Sequence, residues 1–394
     1  MSGLVEAPDR GQAPQHGWRM PQPSPIPHGK METLETLRIL AALLVVMYHL
    51  QDIFIRRGTV PFGGLFSAGD RGVDLFFVLS GFIITISHRA DVDVPGRAAR
   101  YLYRRGCRIF PSVWILTVMA ICVYAIGFGG AAKAQKLDLW NIVASAFLLP
   151  QNAPALVNVT WTLTYEIFFY GIFATLVMNR RLGLGLVAIW QGLVLLHAVH
   201  VFQPGVWVVA YYLRPICLEF GIGMMAALVV TSTHSGWQAR WGGAVGLLLA
   251  GTGVFLAGLL YVTFWHPHGL DLARVPVFGL SAGAIVIALA VLERDGRAFV
   301  PAPIVWLGGA SYAIYLVHYS IITIAVAVLA RLHLLPPGDP TLLGCVALAV
   351  AAGAGFHAFL DRPIQRRLRR FGQRLFDQRR LTKESRHGTD LDSR

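Results

Sequence analysis

About ten apolar runs, most of them near the 20 residues a helix needs to cross hydrocarbon, divide this chain from end to end. Nothing else in the sequence constrains the fold as much. A backbone in lipid has no water to bond, so each run must be a helix or a strand of a closed barrel. Barrel strands alternate polar and apolar residues in shorter segments, and no such alternation occurs here. The fold class is therefore all-α: a polytopic integral membrane bundle of about ten transmembrane helices. Their expected spans are about 36–55, 72–87, 109–128, 158–178, then on to about 200, 206–230, 242–264, 272–292, 304–330 and 341–360.

An even helix count puts both termini on one side. Every loop assigned to that side contains Arg, so the positive-inside rule makes both termini cytoplasmic. Charge supports the same reading. The net charge is +13, but residues 361–394 hold 11 of the 34 Lys and Arg, and residues 89–108 hold another six. Basic charge packed beside helix ends is a topology signal, and no nucleic-acid partner is expected. Residues 1–30 are rich in Pro and Gly, lack the apolar core of a signal peptide and read as a disordered N-terminal tail. Met31, just before the first helix, is an alternative start. Residues 31–362 form the expected transmembrane domain. Residues 363–394 form a basic cytoplasmic tail, with Arg366, Arg367, Arg369 and Arg370 placed to meet anionic lipid. Cys107, Cys122, Cys217 and Cys345 show no CxxC spacing and read as packing residues, with no metal site expected.

Polar residues inside a bilayer cost on the order of a few kcal/mol each, so those that persist there mark function or a structural pairing. In the first run, Arg38 and His49 are eleven residues apart. That is close to three helical turns, so both project from one face about 16 Å apart. His318 lies near mid-membrane in the ninth helix. Glu166 falls in the outer half of the fourth, Asp74 opens the second near the outer surface, and Arg214 and Glu219 fall in the sixth. Arg100, Arg104, Arg105 and Arg108 cluster at the inner start of the third.

A cationic inner mouth suits a phosphorylated donor, because guanidinium forks match phosphate oxygens. An acid-rich outer mouth suits the hydroxyls of a saccharide, and an imidazole between them is placed to take a hydroxyl proton. Each residue has a plainer reading. The arginines could be topology signal alone, and Asp74 could stabilise a helix start. Glu166 and Arg214 could be a structural ion pair, and His49 a buried histidine satisfied by a carbonyl. Ser80 lacks the GxSxG surround of a nucleophile elbow.

At these same residues the sequence resembles the acyltransferase family 3 membrane proteins. The matching segments are LRILAALLVVMYH from Leu37 to His49, GVDLFFVLSGF from Gly72 to Phe82, and RRGCRIFP from Arg104 to Pro111. WTLTYEIFFY from Trp161 to Tyr170 and SYAIYLVH from Ser311 to His318 complete the set, in the family's order, over about residues 31–365. WTLTYEIFFY and LEFGIGMM, from Leu218 to Met225, look most like the exopolysaccharide acetylase branch.

The resemblance implies a membrane-embedded O-acyltransferase that moves an acyl group, most simply acetyl, from acyl-CoA to a glycan or glycosylated acceptor. Acyl-CoA would be a co-substrate, with no bound cofactor, and the setting the cytoplasmic (inner) membrane. His49 would be the catalytic base, or carry the acyl group itself, with Glu166 as its catalytic companion. Arg38, Arg105 and Arg108 would bind the donor. Asp74, Glu219, Arg214 and His318 would hold the acceptor or orient the imidazole. Ala313 stands where the family usually has Ser. The rival reading is a transporter or flippase using the same buried charges without acyl chemistry; the lack of internal repeats counts against it.

Overall fold

The computed structural model describes residues 31–126, 133–232, 241–265, 273–334 and 339–392. The 1–30 tail, Arg240, His266 and His268 lie outside that set. All regular structure among the described residues is helical, and ten helices are long and apolar enough to cross a membrane. The spans are built on α1 (Glu32–Ile55), α2 (Gly72–His88), α3 (Arg97–Ala125), α4 (Trp161–Met178), α5 (Arg180–Ala198), α6 (Leu218–Ser232), α7 (Trp241–Phe264), α8 (Leu280–Arg294), α9 (Ala302–Arg331) and α10 (Asp339–Phe356), with helical turns at their ends lengthening α2, α6 and α8. A final helix, α11 (Arg362–Asp392), continues α10 through a π turn at His357–Asp361.

Helix α1 packs mainly between α9 and α2; α2 packs on α6, α9 on α10, α7 on α8, and α3 on α4. With no water to expel between helices in lipid, such contacts depend on close backbone approach at small residues. The α2–α6 crossing shows this. A Cβ on Gly81 would lie 2.2 Å from the Phe220 carbonyl oxygen, and one on Gly223 would lie 2.1 Å from that of Val78. Aromatic side chains fill the space beside the crossing, with Phe220 stacked on Phe77 and Phe169 at 4.6 and 4.5 Å.

Three features depart from the expected layout. First, the chain after α1 turns back along it. Gln51 holds that return by donating to the Gly64 carbonyl at 3.2 Å and accepting from the Phe66 amide at 3.0 Å. Gly69 and Gly72 then press against the carbonyls of Leu44 and Ala41. Helix α2 therefore begins halfway down α1, and Asp74 is fully buried within the bundle instead of lying near its outer surface.

Second, the sixth expected span is broken. A short helix, Trp207–Tyr212, precedes α6, and Arg214 between them is extended at ψ 141°. Pro215 is the cause, since its ring disfavours helical geometry at the residue before it. Third, the basic tail does not stand apart. Helix α11 lies along the start of α3, where the Tyr103 hydroxyl donates to the Leu368 carbonyl at 2.8 Å and Arg100 pairs with Asp377 at 2.8 Å.

The long segment between α3 and α4 carries a short helix, Leu139–Phe147, capped by Asp138 accepting from the Asn141 amide. Leu139 is 75% exposed and Trp140 61%.

Candidate active site

The α2, α3, α4 and α9 helices enclose a cavity of about 370 Å³ that α1 closes on one side. Its apolar walls come from Phe76, Phe77, Phe82 and Leu163, as expected for surfaces facing a bundle interior. Its polar groups come from all five helices. Arg38 comes from α1 and lies 3.5 Å from the Glu35 carboxylate one turn earlier. Gly308 of α9 sits directly on the Glu35 carbonyl, which fixes that turn.

Arg105 and Arg108 come from α3, three residues apart and so on one face. Pro111, just beyond them, withholds the backbone donor that the Cys107 carbonyl would otherwise receive. The guanidinium of Arg105 lies 5.7 and 5.6 Å from the ring centres of Tyr101 and Tyr170, and that of Arg108 lies 5.8 Å from Tyr312. These are cation–π distances. The Arg105 Nε is buried and unpartnered. From α4, Glu166 accepts from the Ser80 hydroxyl at 3.0 Å and from the Tyr170 hydroxyl. Glu166 thus pairs with hydroxyls, and the Glu166–Arg214 ion pair does not form.

His49 and His318 form a second group. Their rings are 5.2 Å apart, with Tyr319 another 5.2 Å from His49. His318 is fully buried, and its Nδ1 lies 3.2 Å from the Ile314 carbonyl. A carbonyl only accepts, so Nδ1 carries the proton and Nε2 keeps the lone pair. Among the described residues that Nε2 has no partner, and neither has the Nδ1 of His49.

One aromatic side chain, Tyr315, links this pair to the cavity, with Phe76 packed beside it. Tyr315 lines the cavity and lies 5.8 Å from His318, while Phe76 lines it and lies 5.7 Å from Tyr315. The Tyr315 hydroxyl is fixed by the Val159 carbonyl at 3.0 Å and the Thr162 hydroxyl at 2.9 Å.

The other sequence-derived candidates lie elsewhere. Asp74 receives a two-pronged bond from Arg274, at 2.9 and 2.7 Å, and Glu219 is buried beside it. Neither carboxylate lines the cavity. Arg214, in the break before α6, lies over the Tyr211 ring at 5.4 Å. Arg38, Arg105, Arg108 and Glu166 therefore converge, His49 and His318 converge beyond Tyr315, and Asp74, Glu219 and Arg214 stand apart from both.

Sequence reasoning gave no role to Tyr170, Tyr312 and Tyr315, which it met only inside the family segments, and passed over Arg274. The tyrosine signal was available in part, since Tyr312 and Tyr315 fall three apart and Tyr315 three before His318, on one helical face. Among the described residues no group of three or more His, Cys, Asp or Glu could hold a metal ion.

An acyltransferase domain profile matches residues 31–356, which holds every residue of both groups. The chain belongs to the acyltransferase 3 family. It is 31% identical over 316 residues to the exopolysaccharide production protein ExoZ of Rhizobium meliloti, covering 77% of this chain and 92% of that one. A second family relative is the peptidoglycan O-acetyltransferase OatA of Listeria monocytogenes, 27% identical over 85% of this chain and 56% of its own length. The chain thus spans a little over half of that longer protein. The acyltransferase MdmB of Streptomyces mycarofaciens is 24% identical over 86% of this chain and 93% of its own. No solved structure gives a significant match. With its ten apolar helices, this family member is a multi-pass membrane acyltransferase.

Proposed function

We propose that this acyltransferase moves an acetyl group from acetyl-CoA on the cytosolic side of the inner membrane to a hydroxyl of an extracytoplasmic glycan. The observation that carries the reading is the convergence of Arg38, Arg105, Arg108 and Glu166 on one cavity, linked through Tyr315 to the paired imidazoles of His49 and His318. The arginine-rich end faces the cytosol and receives the CoA phosphates, and the apolar walls take the pantetheine arm and the acyl group. The glycan acceptor follows from relatives whose names carry exopolysaccharide production and peptidoglycan O-acetylation.

The chemistry balances without a further reagent. His49 takes the proton of the acceptor hydroxyl as that oxygen attacks the thioester carbonyl. The C–S bond breaks, an ester C–O bond has formed, and the CoA thiolate is protonated to the thiol. His318, with its Nε2 lone pair toward the interior, helps hold or pass on the proton. Tyr315 and Phe76 turn aside during transfer so that thioester and base can meet. Glu166 fixes Tyr170 and balances charge among the three arginines.

The test uses purified protein in proteoliposomes with acetyl-CoA and an oligosaccharide, reading free thiol and acetylated sugar together. Removing a general base costs about 100-fold or more, so His49→Ala in folded protein should lose transfer to that degree. Transfer at the wild-type rate by that variant would overturn the role given to His49. Saccharide movement without thiol release in the wild-type protein would instead favour the transporter.

A further inference from the structure

Beyond the 370 Å³ cavity a second one of about 420 Å³ opens at the arginine-rich end, and the two share Ser87, Arg105 and Arg108 in their walls. Arg100, Arg104, Arg105 and Arg108 of α3 line it, and across from them Arg369, Gln373 and Phe376 of α11. Among the described residues its lining contains five arginines and no carboxylate. Arg100 is held at its rim by Asp377, which leaves four guanidiniums facing one space. Like charges so placed repel unless an anion sits among them.

The position of α11 is fixed, not incidental. Asp361 in the π turn accepts from Ser112 of α3 at 2.8 Å and from Gln365 at 2.7 Å, while His357 closes on its other oxygen at 2.9 Å. Tyr103 bonds the Leu368 carbonyl, Gly372 lies flat against the Tyr103 ring, and Asp377 reaches Arg100. These contacts recur along one face of the helix, so α11 is clamped to α3 with Arg369 turned to the cavity. Tyr103 and Phe376 meet edge to face at 5.8 Å and add an aromatic corner. Phosphate oxygens and a flat base are what this combination of guanidiniums and aromatic rings recognises.

We propose that α11 forms one wall of a binding site for the phosphorylated nucleotide end of the donor, with Arg369 a phosphate ligand and Phe376 a contact for the base. This rests on the acyl-CoA reading above and adds to it a segment beyond the residues the family profile covers. Anionic lipid headgroups offer phosphate too, so the experiment separates the two sources.

Protein in nanodiscs of neutral lipid, and separately of lipid containing phosphatidylglycerol, is titrated with CoA, 3′-dephospho-CoA and pantetheine. Charge-assisted bonds from several guanidiniums to phosphate should make CoA bind about 100-fold or more tighter than pantetheine in neutral discs. Arg369→Glu should remove about tenfold of the CoA affinity and none of the pantetheine affinity. Arg369→Lys restores most of it, and Arg370→Glu, on a residue that does not line the cavity, changes neither. Gly372→Leu, which pushes α11 off α3 without altering charge, should weaken CoA in the same way.

CoA affinity unchanged in both Arg369→Glu and Gly372→Leu overturns the α11 site while leaving the acyl-CoA reading intact. An Arg369→Glu effect seen only as lost phosphatidylglycerol binding overturns it in favour of lipid. Wild-type protein that binds none of the three probes removes the acyl-CoA reading itself.

Discussion

At the scale of single residues, the cavity shows how a charge is made tolerable inside a bundle. Each guanidinium has an aromatic ring or a carboxylate near it, and Glu166 has two hydroxyl donors. Glu166→Gln keeps the side chain's shape and one acceptor oxygen but removes the charge that offsets Arg38, Arg105 and Arg108. Loss of a charge-assisted interaction of this kind is worth about 2 kcal/mol, or roughly 30-fold. The expected result is a fall of that size in kcat/KM for the proposed acetyl transfer with a folded, monodisperse protein, read by thiol release.

The residue scale is also where the sequence was most selective in what it disclosed. Arg38 and His49 were visible because an eleven-residue interval in an apolar run has one geometric meaning. Arg105 and Arg108 were visible for a similar reason. Arg274 was not, since its partner Asp74 lies 200 residues away and only the folded chain brings them together.

At the scale of elements, the ten spans were legible because hydrocarbon leaves an apolar run of that length a single conformation. Ends and breaks were less so. The start of α2 depends on Gln51 gripping the return loop, and the interruption before α6 on one proline; neither alters the average composition of its run. Helix α11 read as a lipid-facing tail because its arginines outnumber its apolar residues, whereas its position comes from through-space contacts with α3.

The α2–α6 crossing carries its own expectation. A side chain at 223 would collide with the Val78 carbonyl, and neither backbone can retreat without losing the stacked Phe77, Phe220 and Phe169 rings. Gly223→Leu should cost about 3 kcal/mol and lower the midpoint of thermal aggregation in detergent by several degrees. Gly171→Leu, on a glycine with open space around it, should leave that midpoint near wild type.

At the scale of the whole molecule, the bundle holds two cavities in series at one end and an imidazole pair beyond them, with Tyr315 between and Phe76 packed beside it. That ordering matters for the cell as much as for the reaction. A continuous wet passage through the protein, lined by arginine and histidine, would let protons run down their gradient and discharge the membrane. The expectation that follows is that Tyr315, which stands between the cavity and His318, and Phe76 packed beside it keep such a passage closed. Phe76→Ala should therefore collapse a pH gradient across proteoliposomes faster than wild type, as followed with an entrapped pH dye and no donor or acceptor present. Equal decay in the two preparations would show that insulation resides in other side chains.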